Sequence, residues 1–305
     1  MKNKNVVVFA MLMMCMLTGC HKNGIQKSET TYIHISLDDV ELSISNLANS
    51  RVISIWDEPL FAELKRLHNE YGAVFSLYVF EDTFSKIESK YACDLYDTAD
   101  WLKFGFHSST ITEKLGSDST YEEGKEEWNS FVQDVTRVTG TAESIDKIPR
   151  LHYYSGSKEC LDGMRDSDNG ALGFLAADDD RISYYLTTEE NEYLQKNDCF
   201  YDSQESLVFL KTDMRGDWFD RSFSSENHYD APKFNDVYKE LERRFSSDLF
   251  NRQTESYIWF CHEQKIYDGK SLNENIVWIE DVCRFAKDNS ISFDYPQNRI
   301  KSLAN

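Results

Sequence analysis

Two adjacent carboxylates, Asp38 and Asp39, follow the largely apolar segment Tyr32–Leu37. This segment carries β-branched residues and predicts a buried strand, which would place the two carboxylates in a functional site at its end. Successive side chains of a strand point to opposite sides, so one carboxylate could bind a metal ion while its neighbour faces a substrate. The alternative interpretation is that the pair only caps a loop.

Other side chains capable of acid–base chemistry or metal binding come at or just after later strand-like segments. They are His107, Arg150, His152, Asp213, Arg215 and His262. Catalytic groups gather at the strand ends on one rim of an α/β barrel. We therefore expect these residues to meet Asp38 and Asp39.

The segments that must position these residues alternate between strand and helix patterns along the chain. Ala73–Phe80 is a continuous apolar run typical of a parallel strand buried on both faces, and Pro59 begins an amphipathic helix that ends at Gly72. We predict a single α/β domain over residues 31–305, an irregular (β/α) barrel of seven or eight strands. A doubly wound open sheet is the alternative, but the glycine-rich phosphate turn of a dinucleotide fold is missing after the first strand.

The composition supports a folded domain and excludes one class of partner. Hydrophobic residues make up 41% and aromatic residues 14% of the 305 residues, which is enough for a core and argues against a disordered chain. The net charge of −20 at pH 7 argues against nucleic acid as a partner, because phosphate binding needs a positive field.

The N-terminus has the pattern of an export signal. Lys2 and Lys4 precede an apolar run that is short for a membrane span, and the run ends in Leu17-Thr18-Gly19-Cys20, which resembles a bacterial lipobox. We predict a lipoprotein signal peptide over residues 1–19, a lipidated Cys20 and a flexible tether over residues 20–30. The expected location is the cell envelope, on the outer side of the cytoplasmic membrane or in the outer membrane.

The candidate residues also resemble the motifs of a known family, the polysaccharide deacetylases. Leu37-Asp38-Asp39 is similar to the first family motif, T-F-D-D-G. Four further segments follow in the family order: Phe106-His107-Ser108 for H-[ST]-x-x-H, Arg150-Leu151-His152-Tyr153 for R-x-P-[FY], Asp213 to Trp218 for D-x-x-D-W, and Trp259-Phe260-Cys261-His262 for L-x-L-H. The resemblance extends from Tyr32 to about Tyr295 and lies in the order and strand-end placement of the motifs.

This resemblance implies roles for the catalytic residues. Asp38 would be the general base that activates water, and Arg150 would hold Asp38. His262 would be the general acid that protonates the leaving amine, with Asp213 or Asp217 supporting the site. The implied activity is metal-assisted removal of acetyl groups from N-acetylated or O-acylated glycans.

The metal site implied by the resemblance departs from the family pattern. Asp39 and His107 would bind a divalent metal, with zinc as the first candidate, but Ile111 stands where the family has a second histidine. His152, at a position that is proline in the family, is a speculative replacement ligand from a neighbouring strand end. Val40 replaces the glycine after the carboxylate pair, so we expect the first loop to take a different path.

The substrate and the alternatives complete the sequence-based expectations. Tyr153, Arg215 and Trp218 are candidate glycan-binding residues, since aromatic rings stack on sugar faces. One alternative is a carbohydrate-binding lipoprotein on the same barrel with a decayed metal site. The other is a glycosidase, in which Asp39 would work with Asp213 or Glu263 across a cleft.

Overall fold

A computed structural model describes residues 31–49, 51–113, 115–219, 236–247 and 256–300 of the chain. The signal peptide, Cys20 and the tether lie outside the described residues and stay predictions. Among the helices that the structure describes, none is long and apolar enough to cross a membrane.

The described residues form strands, α-helices and short 3-10 helices. The strands are β1 (Tyr32–Asp38), β2 (Phe75–Phe80), β3 (Leu102–Ser108), β4 (Gly173–Leu175), β5 (Cys199–Asp202), β6 (Leu207–Leu210), β7 (Met214–Arg215), β8 (Ser256–His262) and β9 (Ser292–Phe293). The α-helices are α1 (Leu42–Ala48), α2 (Pro59–Tyr71), α3 (Glu81–Phe84), α4 (Ala92–Leu95), α5 (Tyr121–Thr139), α6 (Lys158–Arg165), α7 (Thr188–Asn197), α8 (Val237–Ser247), α9 (Glu263–Ile266) and α10 (Val277–Asp288). Two 3-10 helices carry candidate residues, His152–Tyr154 and Gly216–Phe219.

The strands form an irregular barrel. The strands β3, β2, β1, β8 and β7 pair side by side in that order, all parallel. Beyond β3, Ile145 forms a bridge with Phe104, and the Pro149 carbonyl accepts a hydrogen bond from Leu175 of β4. The strand β4 pairs with β6, and the chain runs from β6 into β7, which returns to β8. The two sheets are thus linked through residues 145–149 on one side and through the short connection from β6 to β7 on the other, and the fold is the irregular barrel that the sequence predicted.

The helix predicted to begin at Pro59 is confirmed as α2. Its Leu60, Leu64 and Leu67 are buried, and Gly72 ends it with the left-handed φ of 73° that glycine adopts without strain. The strands β1, β2 and β3 are buried along their whole length, as expected for strands that are covered on both faces. Because β1, β3 and β8 run parallel, their carboxyl ends lie on one rim of the barrel.

Two elements differ from the sequence-based prediction. The strand β5 pairs antiparallel with β6 in a hairpin that the alternating pattern did not indicate. The helix α1 lies between Val40 and Asp57, where the sequence pattern predicts only a long connection, and its own N-cap residue, Glu41, makes no side-chain capping bond. The capping carboxylate is Glu263, from the other end of the chain, which accepts hydrogen bonds from the Glu41, Leu42 and Ser43 main-chain N–H groups. A cap so distant in sequence leaves no local signal.

Candidate active site

Asp38 ends β1 and is held by a buried guanidinium group. Arg150 Nη1 donates to Asp38 Oδ1 at 2.7 Å and to Ser36 Oγ at 3.2 Å, while Nη2 donates to Thr212 Oγ1 at 2.9 Å. The guanidinium carbon lies 4.0 Å from the centre of the Phe260 ring. The expected contact between Arg150 and Asp38 is present, and it fixes the carboxylate because both members of the ion pair are buried and hydrogen-bonded.

Asp39 leaves the strand direction and turns its carboxylate toward two histidines. Its φ of 52° is left-handed, a conformation that aspartate adopts more readily than most residues, and the Val40 N–H then donates to the Tyr78 carbonyl at 3.1 Å. Asp39 Oδ1 lies 3.0 Å from His107 Nε2 and 3.7 Å from His152 Nε2. Asp39 itself thus adopts the left-handed backbone conformation, and Val40 does not. The loop therefore needs no glycine at position 40.

The hydrogen bonds of His107 and His152 decide which ring nitrogen is available. His107 Nδ1 lies 2.6 Å from the Arg150 carbonyl oxygen, and His152 Nδ1 lies 3.3 Å from the Glu113 carbonyl oxygen. A carbonyl oxygen only accepts, so each Nδ1 carries the proton and each neutral ring presents an Nε2 lone pair to Asp39. Two lone pairs and a carboxylate attract each other only with a proton or a metal cation between them. This donor set fits a divalent cation.

The pKa values of Asp39 and His152 both lie below their ordinary values. Burial by itself would raise the pKa of Asp39. When protons rather than a metal occupy the histidine Nε2 atoms, the hydrogen bond and charge of His107, and then the charges of His262 and His152, hold that pKa below its ordinary value. Burial, and then the nearby His107, lowers the pKa of His152. A lowered pKa keeps His152 neutral near pH 7, which is the form that binds a metal.

The residue at the position of the missing family histidine is exposed. Ile111 is 54% exposed on the loop after β3. His152 reaches Asp39 from the 3-10 helix His152–Tyr154, which follows the irregular wall segment around Pro149. The structure therefore brings a histidine from another segment beside Asp39, although this segment is a 3-10 helix rather than the expected strand end.

His262 stands on the opposite side of Asp39 and has a different partner. It ends β8 directly beside Asp38, its register partner in β1. Its Nδ1 donates to Asp217 Oδ2, its main-chain N–H donates to Asp217 Oδ1 at 3.0 Å, and its Nε2 lies 3.9 Å from Asp39 Oδ2. Burial by itself would lower the pKa of His262, but the Asp217 carboxylate outweighs burial and raises it. His262 is thus held as a proton donor.

The carboxylate at His262 is Asp217, whereas Asp213 has a structural position. Asp213 Oδ2 accepts from the Ile258 main-chain N–H at 2.7 Å, and the Asp213 N–H donates to the Ile258 carbonyl at 2.9 Å, so this residue joins its segment to β8. Of the two carboxylates considered from the sequence, Asp217 is the one that contacts His262. The signal was the pair Asp217-Trp218, which matches the D-W end of the fourth motif.

Glu263 does not face the site. Its two carboxylate oxygens accept from the main-chain N–H groups of Glu41, Leu42 and Ser43 and from Ser43 Oγ, at distances from 2.5 to 2.9 Å. Burial raises the pKa of Glu263 to about 7 in spite of these bonds. Because Glu263 caps α1 and Asp213 binds the β8 main chain, the geometry does not support the carboxylate pairs that a glycosidase would need.

The three candidate glycan-binding residues have different surroundings. Tyr153 is 63% exposed, and its ring centre lies 4.1 Å from that of His152. Arg215 Nε donates to Asp217 Oδ2 at 2.9 Å, so this side chain supports the carboxylate behind His262. Trp218 has its main chain in the 3-10 helix Gly216–Phe219, and its side chain lies outside the part of the chain that the structure describes.

Sequence reasoning missed one contact at the site. Gln264, in α9, donates from Nε2 to Asp39 Oδ2 at 3.2 Å. No family motif reaches this residue, and an exposed glutamine two positions after a histidine carries no signal by itself.

Comparison with known proteins identifies the fold. No family model and no curated protein matches the chain. The crystal structure of a candidate polysaccharide deacetylase from Mycobacterium smegmatis is similar over 92% of this chain and 92% of its own, with a TM-score of 0.50 and 12% sequence identity. The Xyl-CE4 domain of a multidomain xylanase from the hindgut metagenome of Trinervitermes trinervoides is similar over 90% of this chain and 91% of its own, with a TM-score of 0.45 and 9% identity. The Mycobacterium structure confirms the predicted fold, the barrel of polysaccharide deacetylases.

Proposed function

We propose that the protein is a metal-assisted hydrolase that removes acetyl groups from glycans, with N-acetylated sugars as the first substrates to test. The observation that carries the proposal is the convergence of three metal-binding groups at one point. The Nε2 atoms of His107 and His152 both face Asp39 Oδ1, and their Nδ1 atoms are occupied by main-chain carbonyl groups. The barrel shared with a candidate polysaccharide deacetylase supports the same activity class.

In this proposal Asp39, His107 and His152 hold a divalent cation, and zinc suits their nitrogen and oxygen donors. A cation at such a site polarises an amide carbonyl and makes water more acidic. His152 takes the place of the histidine that the family carries at position 111. The ligands thus come from three separate segments: the residue after β1, the end of β3 and the 3-10 helix His152–Tyr154.

The remaining residues move protons. Asp38, fixed by Arg150, accepts a proton from the water that attacks the acetyl carbonyl. His262, whose pKa is raised by Asp217, donates its Nε2 proton to the amine as the carbon–nitrogen bond breaks. The products are acetate and the free amine, and proton exchange with solvent returns both residues to their starting states.

Metal content of the purified protein tests the ligand set. We expect about one equivalent of a divalent ion in the wild type and in Ile111→Ala, and a loss of metal in Asp39→Ala and His152→Ala. Ile111→Ala is the matched control because this position belongs to the metal site of the family but is exposed here. A wild type that stays free of metal after incubation with zinc would instead favour the carbohydrate-binding alternative.

Acetate release from N-acetylated oligosaccharides tests the reaction. We expect Asp38→Asn to abolish release while circular dichroism and metal content stay unchanged, because the amide cannot act as a base. Full activity of Asp38→Asn would contradict the proposed mechanism.

We also propose that the protein acts in the cell envelope, anchored through a lipidated Cys20. The lipobox-like sequence Leu17-Thr18-Gly19-Cys20 supports this location. Membrane fractionation of the wild type and Cys20→Ala tests it: the wild type should be found with membranes, and the variant should lose its lipid.

A further inference from the structure

We propose that Gln264 is a positioning residue that holds the Asp39 carboxylate in the orientation needed for metal binding. This inference rests on the metal site of the proposed function and adds a residue that no motif of the chain indicates.

The two oxygens of Asp39 face opposite sides of the site. Oδ1 faces His107 and His152, whereas Oδ2 accepts from Gln264 Nε2 at 3.2 Å and lies 3.9 Å from His262 Nε2. A carboxylate only accepts hydrogen bonds, so the Gln264 amide presents its NH2 group to Asp39. Gln264 thus binds the oxygen that the two metal-binding histidines leave free.

The neighbouring residue places Gln264 beside Asp39. Glu263 is buried and accepts three main-chain N–H groups from residues 41–43, just after Asp39. Two successive residues after β8 therefore contact the segment after β1. The Glu263 side chain binds the main chain of that segment, and the Gln264 side chain binds the Asp39 side chain. Because Glu263 already joins the two segments, the Gln264 bond needs to order only the glutamine side chain.

The bond also keeps the two sides of the site separate. Without the amide, Asp39 Oδ2 is free to turn toward the His262 imidazole, which is the next donor on that side. Such a turn would carry Oδ1 away from His107 and His152. The metal would then lose a correctly oriented ligand, and His262 would gain a partner that competes with the substrate.

Zinc affinity, measured by competition with a chromophoric chelator, tests the role of Gln264 in the full-length protein. We expect Gln264→Ala and Gln264→Met to bind zinc about 10-fold more weakly than the wild type, the size typical of losing a group that orients a ligand. Methionine keeps the length of the side chain but has no N–H donor, so it separates hydrogen bonding from packing. Gln204→Ala, at another exposed glutamine, is the matched control and should keep wild-type affinity.

Two further measurements distinguish a role of Gln264 in positioning Asp39 from a general effect on the structure. The visible spectrum of the Co²⁺-substituted protein should change in both Gln264 variants, because the coordination of Asp39 changes. The melting temperature without metal should stay the same, since Gln264 is exposed.

The outcomes separate this inference from the proposed function. Wild-type zinc affinity in Gln264→Ala or in Gln264→Met would overturn the role of Gln264 and leave the metal site intact. A wild type that binds neither zinc nor Co²⁺ would overturn the proposed function and this inference with it.

Discussion

His107 and His262 lie on opposite sides of Asp39 at the ends of parallel strands, yet their Nδ1 atoms have different partners. The Nδ1 of His107 faces a neutral main-chain carbonyl, that of Arg150, and His152 repeats the arrangement with the Glu113 carbonyl. The Nδ1 of His262 faces the buried carboxylate of Asp217. The rings on the two sides of Asp39 thus differ in the charge of the group that faces Nδ1.

The physical reason is the charge that each partner favours. A carbonyl fixes the tautomer without adding a negative charge, which leaves a neutral ring whose Nε2 can bind a metal. A buried carboxylate stabilises the imidazolium form and therefore a proton on Nε2. In the proposed mechanism, histidine would thus serve as a metal ligand on one side of Asp39 and as an acid on the other.

Alanine at each of the two histidines gives the largest expected effects and separates the roles. We expect His262→Ala to lower kcat by a factor of about 10² to 10⁴, the usual contribution of a general acid, while the protein keeps its metal. His107→Ala should lose both metal and turnover. Acetate release and metal analysis of the two variants provide the measurement. Loss of metal in His262→Ala would show that the two sides do not have separate roles.

Asp217→Asn removes the charge that distinguishes His262 from His107. Because the Asp217 carboxylate raises the pKa of His262, its removal should lower that pKa, so His262 loses its proton at a lower pH. The alkaline limb of the kcat/KM profile should therefore move to lower pH.

Asp213→Asn is the matched control for this shift. The asparagine keeps an oxygen that can accept from the Ile258 N–H group, and Asp213 supports β8 rather than the His262 ring. Its alkaline limb should stay in place. Equal shifts of the alkaline limb in the two variants would mean that Asp217 affects His262 only by supporting the local structure, and not through its charge.

Tyr153→Ala should have the smallest effect and concerns the metal side alone. The Tyr153 ring packs on His152, and an aromatic contact of this kind contributes about 0.5–1 kcal/mol. Zinc affinity should fall about threefold, with the alkaline limb unchanged. A shift of that limb would link Tyr153 to the His262 side, and wild-type affinity would show that His152 needs no packing support.

The barrel could be predicted from local patterns because most of its strands and helices show their hydrophobic pattern within a short stretch of sequence. The buried run before Asp38, the helix from Pro59 to Gly72 and the apolar run before His262 all have the structure that their periodicity indicates. The β5–β6 hairpin and the helix α1 could not be predicted in this way. Their pairing and capping depend on contacts that a local window does not contain.

The contacts of the candidate site also divide into those that the sequence predicted and those that it did not. The contact of Arg150 with Asp38 followed from the order of the motifs, as did the meeting of Asp39, His107 and His262 at one rim. The contact of Gln264 with Asp39 could not be predicted from the motifs, since it depends on where α9 begins relative to the loop after β1. The choice between Asp213 and Asp217 likewise needed the path of the chain between β6 and β8.

The sequence by itself determined the barrel and the residue types at its strand ends, because strand burial and helix periodicity are local properties. Only the tertiary structure decided which carbonyl or carboxylate faces each histidine Nδ1, and hence which rings suit a metal and which suits a proton. Those partners come from segments distant in sequence, such as Glu113 for His152 and Asp217 for His262.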